Sequence, residues 1–154
     1  MVQNKAFVYK KVPNGWPVPG QDLTIEDVGF DEAADPPKNG FTTKNLYATF
    51  DPSQRGRMRA PSNWSYSPAL EIGKPVDSVQ VIGKILKSAN SGYHAGMFVL
   101  LWISATQCYS VVPESALKMV EVIDPEPGIP LTAYVGVLGM TGTFSCPVLI
   151  RYPR

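Results

Sequence analysis

Proline and glycine interrupt this chain so often that long helices are excluded from most of it. The 154 residues include 15 prolines and 13 glycines, about 18% of the chain against roughly 12% in average usage. Proline lacks the backbone N–H that a helix interior needs, and glycine favours turns. Short strands joined by turns are the architecture that tolerates this pattern, so we predict a mainly β domain.

The apolar and β-branched residues fall into short runs between these turns. Alternating or apolar stretches predict strands at 6–11, 23–30, 41–50, 79–88, 97–103 and 107–113, the fifth of them buried on both faces. The stretch SALKMVEV fits either a strand or a short turn of helix. Helical spacing at 129–140 places Leu131, Tyr134, Val135 and Leu138 on one side and predicts a C-terminal helix. The pattern indicates one β-barrel-like domain closed by a helix.

Size and charge exclude several classes of partner. A chain of this length suits one domain with a real core. Its formal net charge is +1, so no basic field would attract nucleic acid or an anionic membrane. The most apolar run, 97–103, is far too short to span a bilayer, and the first residues lack the apolar core of a signal peptide. We therefore predict no nucleic-acid or membrane partner and a cytoplasmic location.

The residue types that carry metal or nucleophilic chemistry are sparse. His94 is the only histidine and sits in a glycine-rich turn, which predicts a surface residue. Cys108 and Cys146 are far apart and form no disulfide framework; we interpret Cys108 as a core residue. Neither a zinc site nor a triad can be built from this set, so no metal is predicted. Paired carboxylates for glycoside hydrolysis stay open, although no motif supports them.

Three glycines near the C-terminal end superficially suggest phosphate binding. Gly136, Gly139 and Gly142 are spaced by three in GVLGMTG, but a dinucleotide fingerprint follows a strand and opens a helix. Here the glycines end a helix-like segment. Close packing and a turn are the better interpretation.

The stretch YATFDPSQRGRM (47–58) is harder to classify. Asp51 and Pro52 predict an Asx-type turn. Arg55 and Arg57 would point the same way on an extended chain, and Gly56 between them permits close approach of another group. Chemistry alone favours a structural turn with solvated arginines over the wall of an active site.

Several motifs together resemble the zinc-independent medium-chain reductases, specifically the NADPH-dependent alkenal/enone reductase group that includes leukotriene B4 dehydrogenase (prostaglandin reductase). LYATFDPSQRGRM resembles that family's D-P-Y-[MQ]-R-G-R-M. IGKILKSANSGYHAGMFV is similar to its G-x-V-x-x-S…G-D-x-V, CYSVVP to its E-Y-x-V-x-P, and GIPLTAYVGVLGMTG to its helix ending in L-G-M-[PT]-G. The resemblance runs from about residue 6 to Gly142.

The resemblance implies a fold, a reaction and a site. It implies a mainly β, GroES-like barrel with short helices at 1–128, the start of an interdomain helix at 129–142 and an atypical tail at 143–154. It implies metal-free reduction of the C=C bond of an α,β-unsaturated carbonyl by NADPH, in an enzyme that could be a homodimer. Pro52, Ser53 and Met140 would border the cofactor, and Ser53 also the substrate. No catalytic proton donor is assigned.

Departures from the family pattern set the alternatives. Ser53 replaces the family's tyrosine, and the acidic residues of its W-E-E-Y run are missing. The tail TFSCPVLIRYPR stands where the family continues into a Rossmann domain, so we expect a truncated product with little or no activity alone. The alternative is a non-catalytic interaction module whose exposed apolar face would contain Tyr134, Val137, Leu138 and Met140.

Overall fold

The computed structural model describes residues 1–140 and 142, and within them the chain is mainly β. The strands are β1 (Lys5–Tyr9), β2 (Leu23–Asp27), β3 (Phe41–Ala48), β4 (Asp77–Ser88), β5 (Phe98–Ala105), β6 (Tyr109–Val112) and β7 (Val120–Ile123). Two short helices, α1 (Ser53–Arg57) and α2 (Leu131–Val135), and a 3-10 helix (Glu114–Met119) complete the described elements. The stretch SALKMVEV therefore contains both a helical turn and a strand.

Two antiparallel sheets carry the fold. β1 and β2 form a hairpin, and the other five strands pair in the order β6-β3-β4-β5-β7. The sheets join through single backbone contacts, in which Phe7 N donates to Thr106 O at 2.9 Å and Val76 N donates to Phe7 O at 2.7 Å. Within the described residues, no continuous ladder of hydrogen bonds closes the two sheets into a ring.

The two long central strands, β4 and β5, are buried on both faces, as the sequence predicted for 97–103. One face packs a cluster that includes Val81, Val99 and Leu101. The other face packs Ile82, Leu100 and Ile123. Successive residues of a strand point to opposite faces, so an unbroken apolar run indicates burial on both sides.

The C-terminal helix is shorter than its sequence pattern predicts. α2 covers the second of these apolar faces through Leu131, Tyr134 and Val135, but it ends at Val135. Gly136 leaves the helical conformation, with φ −108° and ψ −108°, because glycine pays no side-chain penalty there. The predicted span of 129–140 therefore overstated the helix. Residues 141 and 143–154, including Cys146, lie outside the described residues.

The carboxylate of Asp27 ties the N-terminal hairpin together and makes its stability pH-dependent. Its Oδ1 accepts the backbone N–H of Asn4 at 2.8 Å and of Gly29 at 2.9 Å. The bond from Gly29 and then that from Asn4 lower the pKa of Asp27. Because the pKa of Asp27 is lower in the folded state, its carboxylate stabilises the folded state at pH values above its unfolded-state pKa of about 3.9. This stabilisation is lost as the pH falls through the folded-state pKa. We expect the free energy of unfolding to fall less steeply below about pH 4 in Asp27→Asn than in the wild type.

Urea denaturation at a series of pH values measures this effect. The matched control is Asp35→Asn, at an exposed carboxylate, which should keep the wild-type slope. Equal slopes in the wild type and Asp27→Asn would contradict the assignment.

Candidate functional site

The segment 51–58 folds into a capped helical turn. The carboxylate of Asp51 accepts the N–H of Ser53 at 2.8 Å, which confirms the predicted Asx turn. In return, the side-chain Oε1 of Gln54 accepts the N–H of Asp51 at 3.0 Å. This reciprocal pair satisfies donors at the start of α1, as a capping box does.

The arginines of this segment fasten it to its surroundings. Arg57 pairs with Asp77, Nη2 to Oδ2 at 3.0 Å, and its Nε donates to the carbonyl of Pro68 at 3.1 Å. Arg55 donates to the carbonyl of Gly15 at 2.5 Å. Their side chains therefore act as structural anchors. The two side chains do not point the same way, as they would on an extended chain, because the segment forms α1 and residues two apart on a helix diverge.

The first four residues of β4, 77–80, hold this segment and the residues just before it by hydrogen bonds. The buried side chain of Gln54 donates through Nε2 to the carbonyl of Asp77 at 2.6 Å. Just before the turn, the backbone N–H of Thr49 donates to the Ser78 hydroxyl at 3.0 Å. The Thr49 hydroxyl accepts the backbone N–H of Gln80 at 3.1 Å. The position of α1 is thus set by β4.

One of these four residues, Gln80, also holds the segment that contains Met140. The N–H of Met140 donates to the side-chain Oε1 of Gln80 at 3.2 Å, and Gln80 is only 2% exposed. Close approach depends on Gly139, because a Cβ there would lie 2.8 Å from that oxygen. A contact across sixty residues of sequence thereby fixes the end of the C-terminal segment against the sheet.

The structure brings the predicted site residues to one end of β4 without joining them directly. Pro52 is exposed, and Ser53 and Met140 are half-buried. Within the described residues no hydrogen bond links Pro52 or Ser53 to Met140; the connection runs through 77–80. Gln80 was missed by the sequence reasoning, although a glutamine inside the apolar run SVQVIGKIL is itself a signal, since a buried amide needs partners.

The other two residues considered in the sequence analysis, His94 and Cys108, are not part of this region. His94 is exposed, as predicted. Cys108 is exposed as well, so its prediction as a core residue is wrong. Its backbone is held between β1 and β3, where its N–H donates to Lys5 O and its carbonyl accepts from Asn45, but its side chain borders an open apolar groove that includes Tyr47 and Phe50.

The described residues form neither a cluster of metal ligands nor a helix that could span a membrane. Within 1–140 and 142, no three histidine, cysteine, aspartate or glutamate side chains converge as metal ligands would. No helix in the same part of the chain has the length and apolar character that crossing a membrane requires.

Comparison with known proteins assigns the chain to a family. A family described as the N-terminal domain of oxidoreductase matches residues 5–120. The chain is 37% identical over 142 residues to the NADP-dependent oxidoreductase RED1 of Cochliobolus heterostrophus, covering 92% of this chain and 40% of that protein. It is 31% identical over 143 residues to the NADP(+)-dependent 2-alkenal reductase of Nicotiana tabacum, covering 92% of this chain and 39% of that protein.

A solved structure agrees on the fold. CurA from Vibrio vulnificus, determined in complex with NADPH, superposes with a TM-score of 0.74 at 20% identity, over 96% of this chain and 40% of that one. The chain thus spans about 40% of the length of these relatives. The mainly β, GroES-like fold expected from the resemblance is confirmed, and the chain belongs to the family of oxidoreductase N-terminal domains.

Proposed function

We propose that this chain forms the substrate-side domain of an NADPH-dependent reductase acting on the C=C bond of α,β-unsaturated carbonyls. The main support for the proposal is that two segments are held by hydrogen bonds to the same end of β4. The turn with Pro52 and Ser53 and the segment with Met140 are both hydrogen-bonded to residues 77–80 of β4. These are the segments that the family resemblance assigns to cofactor and substrate. Because the chain spans about 40% of its relatives, the proposal concerns the complete enzyme.

The described residues fit a nicotinamide at this place. Beside Met140, the buried side-chain Nε2 of Gln80 has no hydrogen-bond partner in the described part of the chain, and such an orphaned polar group calls for an explanation. Gly139 lets the Met140 segment lie against Gln80, because a Cβ there would come within 2.8 Å of the Gln80 Oε1. When bound, NADPH would supply the hydride that reduces the double bond.

The chain's own residues would then orient and enclose the reactants. Pro52 offers a rigid, apolar surface at the start of α1, since its ring fixes the backbone. The hydroxyl of Ser53 is a small donor and acceptor that leaves room for a substrate in place of the family's larger tyrosine. Met140 offers a flexible apolar contact, and its backbone is fixed by Gln80. A proton donor is assigned to none of them.

A chimera tests the proposal. Residues 1–140 would replace the corresponding N-terminal part of the tobacco 2-alkenal reductase, and NADPH oxidation would be followed at 340 nm with 2-alkenals. We expect saturated aldehydes as products, identified by mass spectrometry. A folded chimera that binds NADPH but leaves the C=C bond intact would contradict the proposal. The 154-residue chain alone should show little turnover, so efficient reduction by it would remove the need for a partner domain.

One observation favours a second candidate, a non-catalytic interaction module. Val137 and Leu138 are 75% and 52% exposed, so part of the apolar face expected at this end is open. A folded but inactive chimera, together with self-association of the isolated chain in light scattering, would favour that alternative.

A further inference from the structure

The outer edge of β6 has no neighbouring strand within the described residues. β6 lies at one end of the five-stranded sheet and pairs there with β3 alone. Beside it lies a groove of about 320 Å³, whose walls come from β6, the end of β5 and the 3-10 helix. Val111 and Ile103 are 57% and 63% exposed at this groove. None of the described residues that line the groove is charged, so it suits an uncharged occupant.

The direction of the backbone groups of β6 follows from their contacts. The carbonyl of Cys108, just before β6, accepts the N–H of Asn45 in β3 at 2.7 Å. The next N–H, that of Tyr109, donates instead to the side chain of Asn4 at 2.9 Å. Backbone groups of successive residues in a ladder alternate between its two sides. The N–H and C=O of Val111 therefore point away from β3, and they have no hydrogen-bond partner in the described part of the chain.

One residue of this edge already holds an amide. The Oδ1 of Asn4 accepts the Tyr109 N–H at 2.9 Å, and the Nδ2 of Asn4 donates to the Tyr109 carbonyl at 3.2 Å. These are the two bonds that a residue of a neighbouring strand would make with Tyr109. The side-chain amide thus takes the place of a backbone amide, and the equivalent place at Val111, two residues further on, is open.

We propose that an extended, uncharged peptide segment of a partner protein adds to this edge, with its backbone paired to Val111. A peptide that extends a sheet binds through backbone hydrogen bonds, and pockets beside the edge take its alternate side chains. The groove offers apolar walls for such side chains, among them Leu101, Val112 and Met119. This binding site is independent of the reaction proposed above.

Hydrogen exchange of the ¹⁵N-labelled 154-residue chain tests the pairing. The Val111 N–H should exchange faster than that of Ser110, which faces β3. The probe is an acetylated and amidated pentapeptide, Thr-Val-Thr-Val-Thr. The control is the same peptide with every backbone nitrogen methylated, which cannot donate to the Val111 carbonyl. We expect only the unmethylated peptide to slow exchange at Val111, and to do so saturably.

A variant adds a second readout. Val111→Pro removes the outward N–H, and proline is tolerated on an edge strand where that N–H makes no ladder bond. We expect about tenfold weaker binding of the peptide, measured from the shifts of neighbouring amide signals. Val122→Pro is the matched control, since Val122 lies in β7 at the other edge of the same sheet and is 50% exposed; it should bind the peptide as the wild type does. The wild-type exchange experiment decides the matter even if Val111→Pro does not fold.

The outcomes are distinct from those of the chimera. Slow exchange at Val111 before any peptide is added would show that this chain or a second copy already covers the edge, and would overturn the inference. Protection by neither peptide, or equal protection by both, would overturn it as well. Saturable protection by the unmethylated peptide alone would support it, whether or not the chimera reduces 2-alkenals.

Discussion

Replacing Gly83 with alanine is expected to destabilise the chain by about 2–3 kcal/mol. Gly83 is buried in the middle of β4, opposite β3. A Cβ at this position would lie 2.9 Å from the Cβ of Thr43, which is fully buried and belongs to a strand in the same sheet. Neither atom is the end of a flexible side chain, so the two strands would have to separate or shift.

The matched control for this substitution is Gly56→Ala. Gly56 lies in α1, and a Cβ there meets nothing within 4 Å. Alanine favours helix over glycine by about 0.5–1 kcal/mol, so this variant should be as stable as the wild type or more so. Urea denaturation of the three proteins measures the difference, and an equal free energy of unfolding for the two variants would contradict the packing at Gly83.

Gln54→Met is expected to cost about 2–3 kcal/mol and to release α1 from β4. The substitution keeps the side-chain length but leaves the N–H of Asp51 and the carbonyl of Asp77 without the bonds that Gln54 makes at 3.0 and 2.6 Å. Buried groups that lose their partners cost about 1–3 kcal/mol each. Because the same turn positions Pro52 and Ser53, we expect the amide signals of α1 to shift strongly while those of β5 change little.

Gln21→Met provides the comparison, since Gln21 is exposed. Urea denaturation and ¹H–¹⁵N spectra of both variants measure the effect. If Gln54→Met unfolds at the same urea concentration as Gln21→Met, the proposed tether of α1 to β4 is wrong.

The sequence was informative wherever structure depends on neighbouring residues. Alternation and β-branched runs located the strands to within a few residues, and the run 97–103 correctly indicated burial on both faces of β5. The Asx turn at Asp51 could likewise be predicted, because its bond spans only two residues. Such features follow from local stereochemistry.

Features that depend on distant contacts could not be predicted. The bond between Gln80 and Met140 joins residues sixty positions apart, and periodicity contains no information about it. Cys108 is exposed although free cysteine is commonly buried, because its backbone is held between β1 and β3 beside an open groove. Ile103 adopts a left-handed φ of 53°, which a β-branched residue takes up only when surrounding structure imposes it.

The most direct test of the account is a crystal structure of the chimera with NADPH bound. The central claim is that residues 77–80 of β4 hold two segments against one nicotinamide site. We expect the nicotinamide ring to contact Met140 and the turn formed by Pro52 and Ser53, with Gln80 still bonded to the Met140 N–H. A nicotinamide bound out of contact with both segments would contradict it.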